Sequence, residues 1–202
     1  MFITVEGIDG SGKSTQLRLL AEWLQGLGRE IVITREPGGT LLGEEIRRLL
    51  LTAGPESIVP QAEFLLYAAA RAQLVAQVIR PALARGALVL SDRFSDSTLA
   101  YQVAGRGLKK GWVEEVLLGA TGGLRPDLTF LFDISPQEAR TRKGAADRLE
   151  KEGLEFFRRV REGYLALAHQ EPERIVVLRG DLPPAEVQAE VRRYVAERLG
   201  IA

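Results

Sequence analysis

Short apolar runs alternate with longer amphipathic stretches along the chain. The runs lie at Phe2 to Glu6, Ile31 to Ile33, Ala87 to Leu90, Leu128 to Phe132 and Ile175 to Leu178. Runs of this length without polar alternation are typical of parallel strands buried on both faces. The pattern therefore predicts an α/β fold with a five-stranded parallel sheet flanked by helices.

Helical periodicity fills the intervals between these runs. We predict helices over residues 14–27, 41–51, 60–83, 95–104, 111–118, 154–170 and 184–199, with a further helix after residue 136. Pro81 predicts a kink in the third helix, because proline lacks the N–H that continues the ladder. No long linker or repeat divides the chain, so residues 1–202 are predicted to form a single domain.

The first strand runs into a glycine-rich segment, Gly7-Ile8-Asp9-Gly10-Ser11-Gly12-Lys13-Ser14. A G-x-x-x-x-G-K-S segment between a strand and a helix is the pattern of a phosphate-binding P-loop, whose backbone N–H groups cradle phosphate oxygens. Lys13, in a surface-facing loop, is expected to reach the outer phosphates, and the Ser14 hydroxyl to hold Mg²⁺. We predict an ATP site made by these eight residues and Thr15. The alternative is a glycine-rich turn that matches by chance.

Composition excludes several kinds of site. Lys+Arg and Asp+Glu balance at 27 each, so the net charge gives no reason to expect a nucleic-acid partner. The chain has no cysteine and a single histidine, His169, which rules out disulfides, thiolate metal sites and histidine-rich metal sites. No signal peptide precedes the P-loop and no apolar run reaches the roughly 18 residues of a membrane span, so we expect a cytoplasmic protein without a membrane partner. The absence of Asn and Cys favours a thermophilic source.

The class of P-loop protein follows from the strand ends. A GTPase needs an N-K-x-D segment to read guanine, and the chain has no Asn. A translocating ATPase usually carries a carboxylate pair after an apolar strand, whereas Asp92 is followed by Arg93. A regulatory ATP-binding module stays open. Cations at the carboxyl ends of strands, where ligands of parallel sheets bind, favour a second anionic substrate facing the triphosphate.

Two segments resemble thymidylate kinases. They are Thr34-Arg35-Glu36-Pro37-Gly38-Gly39-Thr40 and Asp92-Arg93-Phe94-Ser95-Asp96-Ser97-Thr98-Leu99-Ala100-Tyr101-Gln102, and the similarity spans the whole chain. The resemblance implies a three-layer nucleoside-monophosphate-kinase fold that transfers the γ-phosphoryl of ATP to dTMP, giving dTDP for dTTP synthesis. It also implies Mg²⁺ and a homodimer. A kinase for another nucleoside monophosphate and a nucleotide-binding regulatory protein are the alternatives.

The resemblance also implies a dTMP site. Arg35 and Arg93 would clamp the acceptor phosphate, and planar guanidinium groups suit that contact. Tyr67 and Arg71, four residues apart on one helix face, would stack on thymine and hydrogen-bond its carbonyl edge. The other implied dTMP contacts are Asp9, Pro37, Ser97, Thr98, Tyr101 and Gln102. The alternatives are an Arg93–Asp92 ion pair, a core Tyr67 with a solvated Arg71, and an Asp9 that only stabilises its loop.

A basic lid is implied over residues 136–149. The P-loop contains no arginine, so the chain resembles the bacterial type, in which the lid supplies the catalytic cations. The implied catalytic residues are Lys13, Asp9, Arg93, Arg142 and Lys143. Arg140 and Arg179 would contact ATP, and Asp92 would join Ser14 at Mg²⁺, directly or through water. The helix from Phe64 to Ile79 is apolar on more than one side, which favours burial in the homodimer.

Overall fold

A five-stranded parallel sheet forms the centre of the chain. The computed structural model describes residues 1–52, 57–142 and 152–201. The strands are β1 (Phe2–Glu6), β2 (Ile31–Arg35), β3 (Leu88–Asp92), β4 (Leu128–Asp133) and β5 (Ile175–Arg179). Their spatial order is β2-β3-β1-β4-β5, and every neighbouring pair is parallel. The predicted five-stranded parallel sheet is confirmed.

Helices connect the strands. They are α1 (Lys13–Gly26), α2 (Leu41–Leu51), α3 (Pro60–Leu74), α4 (Arg80–Ala84), α5 (Ser95–Thr98), α6 (Lys110–Thr121), α7 (Pro136–Thr141), α8 (Leu154–Gln170) and α9 (Pro184–Leu199). Two wider π-helical segments, Val75–Ile79 and Leu99–Gly105, follow α3 and α5. The predicted bounds of α2, α8 and α9 are confirmed, because turn residues or prolines mark their ends.

Several boundaries differ from the sequence prediction, and two of these differences have a clear physical cause. The helix predicted over 60–83 is interrupted by a π segment just before Pro81, whose ring and missing N–H break the regular ladder. The strands β2, β3, β4 and β5 extend further than their apolar runs. Their charged last residues stay in the ladder, since Arg35 pairs with Asp92 and Arg179 with Asp133.

The two faces of β1 have different neighbours. Ile3 and Val5 pack in a cluster with Leu20 and Leu24 of α1, on one side of the sheet. Phe2 packs with Phe94 on the other side. Thr4 and Glu6 follow at alternate positions and are fully buried. Because strand side chains alternate between faces, Glu6 points toward the elements that follow β3 and toward α8.

The helical span Pro60–Ala84 is long and apolar enough to cross a membrane, judged by length and composition alone. In the described residues, 44% of its most apolar window lies buried inside the fold, and core helices of soluble proteins pass the same test. Glu63, Arg71 and Arg80 interrupt the apolar sequence of this span, so no uninterrupted apolar run within it reaches 18 residues.

Candidate active site

The P-loop has the tight backbone that its glycines predict. Gly7 has φ 135°, and a β-carbon there would lie 2.6 Å from the Phe132 carbonyl oxygen. Gly10 has φ 86°, and a β-carbon there would lie 2.5 Å from the Ala139 carbonyl oxygen. Larger residues are therefore excluded at both positions by backbone conformation and by space. The loop between β1 and α1 is packed against β4 and α7.

Lys13 is buried rather than surface-facing. Its side chain is 5% exposed, and Nζ donates to the Ile8 carbonyl at 3.0 Å and lies 3.4 Å from Asp9 Oδ1. Burial lowers the pKa of Lys13, and the nearby Arg93 lowers it further. The expectation of a surface charge was wrong, because the P-loop folds back over its own lysine.

Ser14 and Asp92 lie close together at the carboxyl edge of the sheet. The Ser14 hydroxyl donates to Asp92 Oδ2 at 2.8 Å. In the described part of the chain, no group of three or more His, Cys, Asp or Glu side chains could hold a metal. Mg²⁺ is usually bound by one or two protein oxygens together with phosphate oxygens and water. A hydroxyl and one carboxylate beside a P-loop fit that donor set.

Arg93 joins the P-loop to the segment after β3. In the described ranges it is the one non-glycine residue with positive φ, at 74°. Its Nη2 donates to Asp9 Oδ1 at 2.7 Å and to Tyr101 Oη at 3.2 Å. Its Nη1 donates to Ser97 Oγ and to Tyr164 Oη. The direct ion pair is thus with Asp9, and the alternative pairing with Asp92 was wrong.

Arg71 is a buried side chain with three partners around its guanidinium. It is 1% exposed, and Nε and Nη2 bind the Glu36 carboxylate at 2.8 and 2.5 Å. Nη1 donates to Thr98 Oγ1 at 2.9 Å, and Nη2 also donates to the Phe94 carbonyl. Burial raises the pKa of Glu36, and Arg71 opposes that shift. The alternative of a solvated Arg71 was wrong.

A cavity opens beside Arg71. Its lining contains residues of α2, α3, the loop after β2 and the segment after β3: Asp9, Glu36, Pro37, Arg47, Leu51, Tyr67, Arg71, Arg93, Ser97, Thr98, Tyr101 and Gln102. We call it the acceptor cavity. Tyr67 is partly buried against Ile46 and Leu50, so one side of its ring is core and the residue also lines the cavity. Gln102 is 3% exposed and donates to Glu63 at 3.1 Å.

Two further cavities border the P-loop. The first, which we call the phosphate cavity, is lined by Asp9, Gly10, Gly12, Lys13, Ser14, Thr15, Arg35, Glu36, Arg47, Asp92, Arg93 and Arg142. The second, on the other side of the loop, is lined by Ser11, Gly12, Thr15, Gln16, Phe132, Arg142, Gly180, Asp181, Leu182, Pro183, Pro184 and Val187. Arg142 lies between them, and its Nη1 donates to the Gly180 carbonyl at 2.7 Å.

Comparison with known proteins identifies the family. The thymidylate kinase family model matches residues 5–191. A thymidylate kinase of Deinococcus radiodurans is 50% identical over 201 residues, which cover 98% of this chain and 97% of that protein. One of Leifsonia xyli subsp. xyli is 56% identical over 196 residues, covering 95% of this chain and 92% of that protein. The chain belongs to the thymidylate kinase family.

A solved structure supports the same assignment. The crystal structure of thymidylate kinase from Ehrlichia chaffeensis superposes with a TM-score of 0.79 at 36% identity, covering 96% of this chain and 98% of that one. Membership makes the chain an enzyme of the nucleoside-monophosphate kinase type and confirms the fold class. The alternative of a regulatory nucleotide-binding protein was therefore wrong.

The structure brings together most of the site residues named from the thymidylate kinase motifs. All ten predicted dTMP contacts except Arg35 line the acceptor cavity, and Arg35 lines the phosphate cavity while it pairs with Glu44 at 3.0 Å. Arg140 is exposed and is not among the residues that line the described cavities. Arg179 pairs with Asp181 at 2.6 Å. Lys143 and the rest of the lid to residue 149 lie outside the described residues.

Three residues at this thymidylate kinase site were missed by sequence reasoning. Arg47 lines both the acceptor and phosphate cavities, and Nη1 donates to the Pro37 carbonyl at 3.0 Å. Glu36 holds Arg71, and Glu6 lies behind Arg93. A carboxylate at the end of the apolar strand β1 was the available signal for Glu6. Glu36 stands in the segment from Thr34 to Thr40 that carries the resemblance, whereas no signal marked Arg47, because charged residues on an exposed helix are common.

Proposed function

We propose that this chain transfers the γ-phosphoryl group of ATP to dTMP and so produces ADP and dTDP. The observation that carries the proposal is the junction of two cavities. Asp9, Glu36, Arg47 and Arg93 line both the acceptor cavity and the phosphate cavity. A monophosphate bound in the first therefore has its phosphate beside the P-loop, where the γ-phosphate of ATP would lie.

The proposed chemistry is an in-line displacement in which the protein positions and neutralises charge. A dTMP phosphate oxygen attacks the γ-phosphorus, the bond to the β-phosphate oxygen breaks, and ADP leaves. MgATP and a fully ionised dTMP together carry about −4 charge. Lys13 faces the ATP phosphates, while Arg35 and Arg93 face the acceptor phosphate. Excluding water from such a site strengthens these contacts and prevents ATP hydrolysis.

The resident metal of the proposed reaction is Mg²⁺. Ser14 and Asp92 would hold it, since their oxygen atoms lie 2.8 Å apart on the wall of the phosphate cavity. When bound, Mg²⁺ supplies positive charge that offsets the charge on the phosphate oxygens.

Selectivity for thymine is assigned to the far wall of the acceptor cavity. Tyr67 offers an aromatic face for the base, and Arg71 offers an N–H of Nη1 to a carbonyl oxygen. Thr98 and Gln102 complete this wall, and Tyr101 closes it beneath the sugar. Because Glu36 and Thr98 fix the guanidinium, the donor points in one direction and favours a carbonyl over an amino group.

ATP enters from the second cavity in this proposal. Arg142 lies between that cavity and the phosphate cavity, which suits a cation that contacts the transferred phosphoryl group. We assign the catalytic lid charge to Arg142 with Lys143, and contacts to the adenosine part to Arg140 and Arg179. The Arg179–Asp181 pair is at the surface, so ATP can compete for Arg179 at little cost.

Further expectations extend the proposal. We propose a homodimer that buries part of α3, a cytoplasmic location, a role in dTTP synthesis and one kinase domain over residues 1–202. A thermophilic source stays a prediction, as does the absence of nucleic-acid and membrane partners.

The test of the proposal is the identity of the product. Purified protein, ATP, MgCl₂ and dTMP are incubated together, and ³¹P NMR follows the nucleotides. The proposal predicts stoichiometric ADP and dTDP, with no free phosphate. ADP with inorganic phosphate, or no turnover of dTMP, would contradict it.

A further inference from the structure

The buried Glu6 lies directly behind Arg93. It is the last residue of β1 and is fully buried. Its Oε1 accepts the Phe94 N–H at 2.7 Å, and its Oε2 accepts the Ser97 hydroxyl at 2.5 Å and the Tyr164 hydroxyl at 2.9 Å. Of these three partners Ser97 lines the acceptor cavity, whereas Glu6 itself does not. The position of this buried carboxylate behind Arg93 indicates what it does.

The two hydroxyls stand between Glu6 and Arg93. Arg93 Nη1 donates to Ser97 Oγ at 3.0 Å and to Tyr164 Oη at 3.1 Å. A carboxylate only accepts hydrogen bonds and a guanidinium only donates them. The two hydroxyl oxygens also lie 2.7 Å from each other, and each hydroxyl has one proton. Either both hydroxyls donate to Glu6, or one donates to the other and that one donates to Glu6. Glu6 is thus the acceptor that draws these protons away from Arg93, and the hydroxyl lone pairs accept from the guanidinium.

Glu6 also fixes the backbone of the same turn. It accepts from Phe94, the residue after Arg93, while the Arg93 N–H donates to the Val5 carbonyl at 3.0 Å. The end of β1 therefore holds the chain on both sides of the left-handed conformation at Arg93, which a non-glycine residue rarely adopts. The same strand end thus holds both the backbone of Arg93 and, through the two hydroxyls, its side chain.

We propose that Glu6 is a positioning residue that aims Arg93 at the phosphate of the acceptor nucleotide. The inference rests on the proposed function, since it needs Arg93 to contact that phosphate. Glu6 touches no substrate and acts through Ser97, Tyr164 and the 93–94 backbone. Its loss should therefore weaken the phosphate contact and leave the nucleoside contact intact.

Glu6→Gln keeps the shape of the side chain and tests this directly. If the amide oxygen keeps the Phe94 N–H, the amide NH₂ faces the hydroxyls and turns them toward Arg93 with the wrong polarity. Binding of dTMP and of thymidine is measured by calorimetry on wild-type and variant protein. We expect dTMP to bind about tenfold more weakly, the scale of one charged hydrogen bond, and thymidine affinity to change by less than about twofold.

A double-mutant cycle separates positioning from a general packing defect. Adding Glu6→Gln to Arg93→Ala should weaken dTMP binding by less than about twofold further, because the two changes remove one contact.

Asp127→Asn is the matched control, since Asp127 accepts the Phe2 N–H at the opposite end of β1. It should leave the affinities for dTMP and thymidine unchanged. Tyr164→Phe removes one of the two hydroxyls between Glu6 and Arg93. It should weaken the binding of dTMP and not that of thymidine, and it tests the inference if Glu6→Gln does not fold.

The outcomes are distinct. Equal losses for dTMP and thymidine, or additive losses on the Arg93→Ala background, would overturn the inference. Unchanged dTMP affinity in a folded Glu6→Gln variant or in Tyr164→Phe would overturn it as well. Wild-type protein that binds neither compound would instead overturn the proposed function.

Discussion

Arg93 donates from Nη2 to Asp9 Oδ1 at 2.7 Å, and this bond joins the segment after β3 to the interior of the P-loop. The same Asp9 oxygen lies 3.4 Å from Lys13 Nζ. One carboxylate therefore sits between the cation assigned to ATP and the cation assigned to the acceptor. The contact fixes the spacing of the two phosphate-binding groups before either nucleotide is bound.

Lys13→Ala should reduce turnover to below a few per cent of wild type, because the developing charge on the transferred group loses its nearest cation. The fold should persist, since burying an ammonium group is itself costly and the alanine removes that cost. Initial rates with ATP and dTMP, together with a thermal melt, measure both parts. Activity above a few per cent in a folded variant would show that Lys13 does not have the phosphate role.

Arg71→Ala should raise the KM for dTMP strongly and reduce discrimination among bases, since a charged hydrogen bond to a buried base is worth on the order of 1.5–3 kcal/mol. The variant also leaves Glu36 buried without its partner, so it should lose stability. The double change Arg71→Ala with Glu36→Gln removes that charge and serves as the control for folding. Unchanged dTMP affinity in the double variant would return Arg71 to a purely structural role.

Arg142→Ala with Lys143→Ala should lower kcat at least about a hundredfold while the KM for ATP changes less than about tenfold. Cations that reach the phosphates in the transition state act on kcat, and comparable arginines contribute roughly 10³–10⁵. Steady-state kinetics with ATP and dTMP varied in turn measure kcat and the KM for ATP. The P-loop has no arginine that could substitute. Near-normal kcat would mean that the lid is not the catalytic element.

Light scattering should give twice the chain mass of 22.2 kDa at micromolar concentration. Leu49 of α2, Leu65 of α3 and Leu118 of α6 are each about half exposed or more, at 51%, 49% and 64%, and α3 packs against both other helices. Leu65→Glu should therefore produce a monomer. Leu27→Glu changes a leucine of similar exposure, 48%, just after α1 and should leave the dimer intact. A wild-type monomer would refute the dimer.

The stability of the protein should carry a pH signature from Glu6. Burial raises the pKa of Glu6 from 4.5 to about 7, Asp96 adds to the rise, and Arg93, Ser97 and the Phe94 N–H oppose it. The folded state then holds more protons than the unfolded state between these values, so this group makes stability fall as pH rises from 4.5 to about 7. The charge of Glu6 in turn raises the pKa of Tyr164 and opposes the lowering of the Lys13 pKa.

Urea unfolding of wild type and Glu6→Gln at several pH values measures this effect. The variant should gain stability relative to wild type across that window, by up to about 3 kcal/mol for a shift of this size. A difference that stays constant with pH would show that the pKa of Glu6 is the same in the folded and unfolded states.

The sequence predicts this fold well because its signals are local. Apolar runs locate all five strands, and prolines and glycines mark the ends of α2 and α9. The π segments were not predictable, since they share the helical periodicity of their neighbours. The predicted strands end too early in the chain. Arg35, Asp92 and Arg179 are charged and resemble loop residues, and only the cross-strand ladder shows that they belong to strands.

The sequence predicts many of the residues that converge around the cavities, and it does not predict how they pair. Spacing places Tyr67 and Arg71 on one helix face, and the P-loop pattern identifies Lys13 and Ser14. The partners of those residues are distant in sequence, as Arg71 with Glu36 and Arg93 with Asp9 show. Such contacts depend on how the strand ends converge, which no short pattern contains. The contacts of Glu6 were not predicted for the same reason, because its partners lie in the segment after β3 and in α8.

The measurement that tests the central claim most directly is a coupled ADP-release assay with dTMP, dUMP, CMP, AMP and GMP as acceptors. The account predicts the highest kcat/KM for dTMP, with CMP, AMP and GMP far lower, because Arg71 donates to a carbonyl edge and the acceptor cavity is sized by Tyr67 and Tyr101. A comparable or higher kcat/KM for CMP, AMP or GMP, or ADP release that does not depend on the acceptor, would contradict it.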